Sequence, residues 1–439
     1  MWSEIGTPVE GNEVSGLCAR HSATHRPSHP KRPWVRETTM DEPTSRAPLS
    51  ADPLPASGAW RVGDPVGHRQ FLTIARDRPF ALDGGTTLRH IDLAYETWGG
   101  LDATASNAVL VCHALTGDAH AAGPSGPGQP SPGWWDGLIG PGRALDTDRY
   151  FVVCVNVLGG CQGSTGPASP DPATGTPYGS RFPVITIRDM VRTQAAVADH
   201  LGIRRWLAAV GGSMGGMQAL EWGLIYPDRV RSVVAIATTA AASAQQIAWS
   251  SVGRSTIVLD PAWRGGDYYD APDGQGPARG LAMARELAQI TYRTAEVFDQ
   301  KFGRGRLDPM DDRFTLWQRF DVEGYLDYHG AKLARRFDAN SYLVINRAMD
   351  LHDIGRGRGG TDAALGRLRV PCLVMSISSD ALYPPGQQQE LRDRLAAQGT
   401  PCRYHVIDSP DGHDGFLLEL NQVGVPLADF LAEVDKDHD

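Results

Sequence analysis

Two nearly uninterrupted apolar runs, at residues 107–115 and 150–158, place the strongest constraint on how this chain can fold. A strand with one face in solvent alternates apolar and polar residues, whereas a strand covered on both faces is apolar throughout. Both runs therefore predict strands inside a parallel sheet. Parallel neighbours need crossover connections, which are usually helices. We expect strands and helices to alternate along the chain.

The segments around these runs follow that alternation. Residues 187–201 have apolar side chains at helical spacing and end at Gly202, and residues 214–225 predict a second helix that stops near Pro227. Period-two or short apolar patterns predict further strands, and an amphipathic pattern predicts a last helix. The strands are expected at 71–75, 88–98, 206–210, 230–237, 370–377 and 404–407, and the last helix at 423–434.

The chain divides into four expected segments. Residues 1–58 are rich in Pro, Ser, Thr, Arg and His without apolar periodicity, which is typical of a disordered tail. Residues 59–240 and 363–439 carry the alternating strands and helices and are expected to form two parts of one α/β core, with a mostly parallel central sheet flanked by helices. Residues 241–362 are mostly helical in pattern and predict a helical lid inserted into that core.

Composition excludes several classes of protein. The net charge of -9 disfavours nucleic acid or an anionic membrane as a partner. No apolar stretch is long enough to span a bilayer and the start of the chain lacks the pattern of a secretory signal, so a cytoplasmic location is expected. The cysteines have no metal-binding spacing, so we expect no metal and reduced, mostly structural thiols. They are Cys18, Cys112, Cys154, Cys161, Cys372 and Cys402.

The segment Gly211-Gly212-Ser213-Met214-Gly215 matches G-x-S-x-G. In this motif, small flanking residues allow a sharp strand-to-helix turn that exposes a nucleophilic serine. The motif alone is a weak signal, because a tight packing turn can have the same residues. Its setting is more specific, since an apolar strand leads into it and a run of good helix formers follows. We therefore predict Ser213 as a nucleophile.

A cysteine at the same spacing is the competing nucleophile. Cys161 also follows an apolar strand and lies between glycines. The residues after it, at 164–170, contain two prolines and cannot begin a helix, so the thiol would lack the helix N-terminus that lowers a cysteine pKa. We interpret this stretch as a shaped loop near the site.

A serine nucleophile needs a histidine base and a carboxylate that orients the base, and both are expected on loops after late strands. Asp380 follows the strand at 370–377, and His413 lies in the loop after the strand at 404–407. Asp380 could simply cap a turn and His413 could be an ordinary polar loop residue. Their order and their placement after the right strands favour a catalytic triad with Ser213.

The oxyanion formed during acyl transfer needs two backbone N–H donors. One is expected from Met214, the residue after the nucleophile, and the other from Leu115, in the loop after the first buried strand. His113 and His120 flank this loop. Because no third metal ligand is spaced with them, we interpret both as structural or hydrogen-bonding residues.

Several blocks of sequence together resemble the homoserine O-acetyltransferase family, from about residue 65 to residue 432. Their density is more specific than any single motif. The blocks are LAYETWG at 93–99, SNAVLVCHALTGDAH at 106–120, GWWDGLIGPGRALDTDRYFVVCVNVLGGCQGSTGP at 133–167, GGSMGGMQALEW at 211–222, ARELAQITY at 284–292 and GHDGFL at 412–417. The resemblance implies an α/β-hydrolase fold with an inserted helical lid.

The resemblance also implies roles for individual residues. Ser213, Asp380 and His413 would form the triad, and the amides of Leu115 and Met214 the oxyanion hole. Arg285 would contact the carboxylate of the acceptor substrate and Asp414 its ammonium group, with Tyr292 nearby. A guanidinium fork suits a carboxylate, but without the resemblance Arg285 would be interpreted as a solvated residue on a helix face. The implied role residues are Ser213, Asp380, His413, Leu115, Met214, Arg285, Asp414 and Tyr292.

The implied reaction transfers an acetyl group from acetyl-CoA to the hydroxyl of L-homoserine, in methionine biosynthesis, by a ping-pong mechanism through acetyl-Ser213. Acetyl-CoA is the acyl-donor substrate, and no permanently bound cofactor is expected. The resemblance also implies a homodimer through the lid helices. A succinyltransferase acting on homoserine or serine, and an esterase or thioesterase with the same triad, remain alternatives. Relatives that use succinyl-CoA resemble one another in having Arg two residues after the catalytic Asp, where this chain has Leu382.

Overall fold

The computed structural model describes residues 53–307 and 316–436. Most of the expected tail at 1–58 lies outside these ranges, but its last residues do not. Ser57 is buried and its hydroxyl donates a hydrogen bond to Asp338 Oδ1 at 2.8 Å. The packed part of the chain therefore begins before residue 59, because the residues just ahead of the first strand lie against a helical segment far along the sequence.

A single eight-stranded sheet forms the centre of the described structure. Seen across the sheet, the strand order is β1-β2-β4-β3-β5-β6-β7-β8. Only β2 runs against its two neighbours, so the sheet is mostly parallel, as predicted. The strands are β1 Gln70–Ile74, β2 Ile91–Trp98, β3 Ala108–Cys112, β4 Phe151–Val155, β5 Ala208–Gly212, β6 Val233–Ile236, β7 Cys372–Ile377 and β8 Cys402–Ile407.

The two apolar runs become the neighbouring central strands β3 and β4, as expected from their burial on both faces. All five residues of β3 are buried. The strand ends at Cys112, earlier than the predicted run, because Gly117 N–H donates to the Ala114 carbonyl at 2.9 Å and closes a tight turn. The loop expected to supply an oxyanion donor therefore begins at the carboxyl end of a central strand.

Helices cover both faces of the sheet and close two apolar cores, one on each side. In the described ranges, no helix is both long and apolar enough to cross a bilayer. Helix α2 coincides with its predicted range, because its start and stop signals are local. The helices are α1 Ile187–His200, α2 Met214–Ile225, α3 Ala244–Val258, α4 Ala278–Tyr292, α5 Ala295–Lys301, α6 Asp321–Ala334, α7 Ala339–Asp350, α8 Thr361–Leu365, α9 Pro385–Ala397, α10 Gly415–Leu418 and α11 Leu420–Lys436.

Helices α3 to α8 all lie between β6 and β7 in the chain. They occupy the stretch where the sequence predicts a helical insertion without a parallel strand. The helical insertion begins after the carboxyl end of β6 and ends before the amino end of β7. These two strands are neighbours in the sheet. The insertion thereby brings side chains from distant parts of the sequence to the carboxyl ends of the strands.

Helix α2 is buried on nearly all sides and is held by a charged cluster beneath it. Glu221, whose side chain is 1% exposed, pairs with Arg188 Nε at 3.1 Å and with Arg358 Nη2 at 2.6 Å. A buried carboxylate requires such partners, since an unpaired charge in the core is strongly destabilising. The cluster ties α2 to α1 and to the segment before β7, which fixes the helix that begins directly after Ser213.

Candidate active site

Ser213 lies at a sharp turn between β5 and α2. Its backbone has φ 57° and ψ -123°, a conformation that is strained for a residue with a side chain and is characteristic of nucleophile turns. Ser213 N–H donates to the Ile236 carbonyl at 2.9 Å, and the Thr238 hydroxyl donates to the Ser213 carbonyl at 2.8 Å. The neighbouring strand β6 and the residues after it thus hold the strained turn in place.

The glycines of the motif are required by close approach. A Cβ atom at Gly215 would overlap the Cys112 carbonyl oxygen, and one at Gly211 would overlap the backbone of Gly215. Both contacts are with backbone atoms that cannot move aside without shifting a central strand. The small residues of G-x-S-x-G are therefore explained here by the packing of α2 on β3.

His413 and Asp380 meet at the carboxyl ends of β7 and β8. His413 Nδ1 and Asp380 Oδ2 are 2.7 Å apart, and both side chains are almost fully buried. The other carboxylate oxygen, Oδ1, accepts the backbone N–H groups of Leu382 and Tyr383, each at 2.8 Å. This arrangement holds the carboxylate rigidly and orients the imidazole as a general base requires.

Three aromatic rings surround the His413 imidazole. The ring centroids of Tyr383, Phe416 and Tyr292 lie 5.0, 5.5 and 5.7 Å from it. Gly412, directly before His413, has a φ of 66° and lies so close to the carboxyl end of α4 that a Cβ would crowd the Tyr292 carbonyl oxygen, at 2.5 Å. The end of helix α4 is thereby packed directly onto the histidine turn.

The Tyr383 side chain lies beside both Ser213 and His413. Within the described residues, no hydrogen bond joins Ser213 Oγ to His413 Nε2. Burial raises the pKa of the Tyr383 hydroxyl, the charge of Asp380 adds to this, and a hydrogen bond with the Ser213 side chain opposes it only in part. Catalytic hydrogen bonds are often long or absent without substrate.

The two expected oxyanion donors have free N–H groups. Across the described ranges, neither the Leu115 nor the Met214 amide has an acceptor. Met214 begins α2, directly after Ser213, and Leu115 lies in the turn closed by Gly117 N–H and the Ala114 carbonyl. Two unpaired donors beside a serine turn can stabilise a tetrahedral oxyanion.

The expected acceptor-binding residues cluster at the carboxyl end of α4. The Arg285 guanidinium lies 5.3 Å from the centre of the Tyr292 ring. Burial raises the pKa of Tyr292, the Arg285 charge lowers it and the Asp414 charge raises it, so both charges face the phenol. Leu115, Tyr292 and Tyr383 also line one pocket together with residues of α3 and α7.

Asp414 has a partner that the sequence did not reveal. Arg293 Nε lies 3.3 Å from Asp414 Oδ2, and Arg293 Nη1 lies 2.7 Å from Asp411 Oδ1. The Asp414 carboxylate therefore already has a positively charged neighbour. Tyr383 was also missed; its position three residues after Asp380 was the only signal, and nothing in the sequence shows that its hydroxyl faces Ser213.

The competing nucleophile is unsuited to catalysis. Cys161 is buried, and this burial raises the pKa of its thiol far above the usual range. A thiol that stays protonated is a poor nucleophile. In the described part of the chain, no group of three or more His, Cys, Asp or Glu side chains is arranged to hold a metal ion.

Comparison with known proteins shows what this chain is similar to. The family model for the alpha/beta hydrolase fold matches residues 107–420, in agreement with the predicted fold. A homoserine O-acetyltransferase of Thermobifida fusca is 56% identical over 381 residues, which cover 87% of this chain and 98% of that protein.

Two solved structures, of an acetyltransferase and of an esterase, are similar to this chain at lower sequence identity. The X-ray structure of homoserine O-acetyltransferase from Bacillus anthracis is 28% identical, has a TM-score of 0.76 and covers 83% of this chain and 97% of that one. The crystal structure of esterase E22 is 29% identical, has a TM-score of 0.75 and covers 83% of this chain and 99% of that one. The fold is thus shared by a transferase and by a hydrolase.

We predict that Gly215→Ala destabilises the protein by about 1–3 kcal/mol and lowers its activity, because the added methyl group displaces the Cys112 carbonyl and with it the serine turn. Thermal unfolding and esterase activity toward a small acetyl ester measure both effects. Gly100→Ala is the matched control, since a Cβ at Gly100 meets open space. Equal behaviour of the two variants would contradict the packing argument.

Proposed function

Because the chain belongs to the homoserine O-acetyltransferase family, we propose that it transfers the acetyl group of acetyl-CoA to the hydroxyl of L-homoserine through an acetyl-Ser213 intermediate. The observation that carries this proposal is the 2.7 Å contact between His413 and Asp380 beside the strained turn of Ser213. The proposal includes roles for eight residues and a place for the reaction in methionine biosynthesis.

In the first half-reaction, the Ser213 side chain turns from Tyr383 toward His413, which takes its proton. The alkoxide attacks the thioester carbonyl, and the oxyanion accepts hydrogen bonds from the Leu115 and Met214 amides. Collapse of the intermediate breaks the carbon–sulfur bond, and His413 returns the proton to the leaving CoA thiolate. Asp380, held by two backbone amides, keeps the imidazole in the required tautomer.

In the second half-reaction, homoserine replaces CoA. Its hydroxyl gives a proton to His413 and attacks the acetyl-serine carbonyl, and the same amides stabilise the oxyanion. The product ester leaves and Ser213 regains the proton. Donor and acceptor use one site in turn, so ping-pong kinetics are expected.

The acceptor is held by charges at both of its ends. Arg285 binds the carboxylate, Asp414 binds the ammonium group in competition with Arg293, and Tyr292 lies between the two charged side chains. Fixing both ends positions the acceptor hydroxyl for attack, which favours transfer over hydrolysis. The helical lid contributes by keeping bulk water from the acetyl-enzyme.

The donor is proposed to be acetyl-CoA rather than succinyl-CoA. Leu382, two residues after Asp380, lines the pocket with an apolar side chain, and its carbonyl accepts a hydrogen bond from Gln246 at 2.8 Å. A succinyl group would bring a carboxylate to this wall and require a cation there. No permanently bound cofactor takes part.

Hydrolysis by the same triad is the second candidate, and the structural similarity to esterase E22 favours it. The two reactions differ only in the acceptor that attacks acetyl-Ser213, which is water in one and homoserine in the other. The identity of the product, acetate or acetylhomoserine, therefore separates them.

We expect purified protein to acetylate itself on Ser213 with acetyl-CoA alone, and to release CoA continuously only when homoserine is added. Intact-mass and peptide mass spectrometry detect the acetyl group, and a thiol reagent detects CoA. Ser213→Ala should lose about 10⁴-fold or more in kcat, since the nucleophile is gone. Ser251→Ala, at an exposed serine of α3, is the matched control.

Each of the other outcomes excludes part of the proposal. Steady formation of acetate at the same rate without homoserine would identify a hydrolase. Equal rates with succinyl-CoA or with serine would remove the claimed specificity. Full activity of Ser213→Ala would exclude the serine mechanism.

We predict that Arg285→Met raises the KM for homoserine about 10-fold to 100-fold, the equivalent of a lost charged hydrogen bond. The KM for acetyl-CoA should change little, because the acyl donor does not use Arg285. Steady-state kinetics with each substrate varied give both constants. Arg279→Met, at an exposed position of the same helix, should match the wild type; a similar rise of KM in that variant would contradict the assignment.

We further propose a cytoplasmic homodimer formed through the lid helices. Along α3 and its C-cap, and again along α4, two exposed apolar residues lie seven positions apart, which places each pair on one side of its helix. Val252 of α3 and Leu259, the residue that follows α3, are 56% and 80% exposed, and Met283 and Ile290 of α4 are 52% and 50% exposed. Exposed apolar side chains grouped on one side of a helix are typical of an interface. In a reducing cytoplasm the buried thiols would remain free.

The dimer predicts a change of mass in solution when this surface becomes charged. Leu259→Glu combined with Met283→Glu should yield a monomer in light scattering coupled to size-exclusion chromatography, because buried unpaired carboxylates are costly. Val425→Glu, at a residue of α11 that is 63% exposed, should leave the mass unchanged. A monomeric wild type would exclude this part of the proposal.

A further inference from the structure

The oxyanion turn at residues 114–117 is fixed from the core side by His113. Val157 N–H donates to His113 Nε2 at 3.1 Å, so Nδ1 carries the proton and donates it to the Ala114 carbonyl at 2.8 Å. Burial lowers the pKa of His113, which favours this neutral tautomer. One end of the turn that presents the Leu115 amide is therefore anchored to the end of β4.

The other end of the turn is held by a guanidinium from the helical insertion. Arg336 Nη1 donates to the Thr116 carbonyl at 2.9 Å. This is a contact between residues 220 positions apart, and it joins the stretch between α6 and α7 to the loop after β3. The Leu115 amide lies between the two anchored carbonyls and is left free.

The backbone of Arg336 is itself fixed by residues from two other parts of the chain. The Gln162 amide donates to the Arg336 carbonyl at 2.6 Å and to the Gly58 carbonyl at 3.1 Å. Gly58 N–H donates to the Phe337 carbonyl at 3.2 Å, and a Cβ at Gly58 would overlap the Phe337 nitrogen. These contacts fix the backbone at residues 336 and 337 and thereby limit where the Arg336 side chain can reach.

The charge of Arg336 is not neutralised by an ion pair. In the part of the chain that the structure describes, no carboxylate lies within ion-pair distance of Arg336 or of Arg285. Burial lowers the pKa of Arg336, Asp118 raises it and Arg285 lowers it, so the two guanidinium groups act on each other. Because an arginine remains charged in proteins, a positive charge stands next to the oxyanion turn.

We propose that Arg336 is a positioning residue of the oxyanion hole: its hydrogen bond to the Thr116 carbonyl holds the turn in the orientation that aims the Leu115 amide at the oxyanion. The inference rests on the proposed acyl transfer through Ser213. Arg336 would affect that transfer through its hydrogen bond to the Thr116 carbonyl. The inference requires Arg336 to serve both half-reactions, because the same oxyanion hole acts in each.

A role in binding the acceptor carboxylate is the alternative reading of the same charge. That role would affect only reactions that use homoserine. The two are separated by p-nitrophenyl acetate, a donor that acetylates the serine without CoA and without any carboxylate. Its rate of acetylation depends on the oxyanion hole and not on the acceptor pocket.

The experiment compares wild type with Arg336→Met, Arg336→Lys, Arg285→Met and Arg347→Met. Methionine keeps the length of the side chain but has no donor, lysine restores a charge and a donor, and Arg347 is a control with a half-exposed side chain on α7. The burst rate with p-nitrophenyl acetate and the steady-state constants with acetyl-CoA and homoserine are measured at a temperature where circular dichroism shows every variant folded.

We expect Arg336→Met to lower the burst rate and kcat by about 10-fold to 100-fold, less than the loss of an oxyanion donor itself. The KM for homoserine should change by less than about twofold. Arg336→Lys should recover most of the burst rate, Arg285→Met should alter only the KM for homoserine, and Arg347→Met should match wild type.

Several results would overturn the inference. An unchanged burst rate together with a raised KM for homoserine would assign Arg336 to the acceptor. A lysine variant as slow as the methionine variant would indicate that packing, and not the hydrogen bond, is lost. Failure of the proposed function would appear separately, as a wild type that is acetylated by neither donor, and would remove the inference with it.

Discussion

The close approach of Gly215 to the Cys112 carbonyl sets the geometry of the whole site. Cys112 ends β3 and Gly215 lies in the first turn of α2, so this contact fixes the distance between two chain segments that supply different parts of the chemistry. The serine turn lies on one side of the contact and the oxyanion turn on the other. Gln218 strengthens the link, because its amide donates to the His113 carbonyl at 3.1 Å. The proposed nucleophile and the proposed oxyanion donors are thereby held as one unit by backbone packing.

The remaining groups approach that unit from the late strands and from the helical insertion. The proposed base and its carboxylate follow β8 and β7, and the pairing of these two strands keeps them adjacent. The insertion supplies the end of α4 against the histidine turn and a guanidinium against the oxyanion turn. The sheet therefore determines the reactive centre, whereas the insertion determines what can reach it. This division agrees with a fold that occurs in both transferases and esterases.

The sequence was sufficient for the parts of the site that depend on local patterns. Helix α2 was predicted with its observed bounds, and the order of Ser213, Asp380 and His413 after their strands is as expected. A run of apolar residues does not show where a strand stops, and the strand predicted from the run at 107–115 extends into what is a turn in the structure. The burial of Ser57 was missed for a similar reason, since its polar surroundings in sequence resemble a tail. In both cases the deciding contact is a hydrogen bond that residue type alone does not reveal.

Contacts between distant segments lay beyond sequence reasoning altogether. Three contacts have no counterpart in the periodicity or spacing of the sequence. They join Arg336 to Thr116, Arg293 to Asp414 and Tyr383 to Ser213. Arginine is most often a solvated residue. Residue type alone therefore argues against a buried supporting role for Arg336 or Arg293. The family resemblance pointed to residues that would touch the substrates, and was silent about those that support them.

The packing of Gly58 against Phe337 links the first described residues of the chain to the segment that carries Arg336. A protease or a cloning strategy that removed the chain as far as Trp60 would leave every strand and every triad residue intact, yet it would take away part of the scaffold under Arg336. Such a shortened protein would be expected to keep its fold and to work slowly. The residues on which the proposed site depends thus begin upstream of the first strand of the sheet.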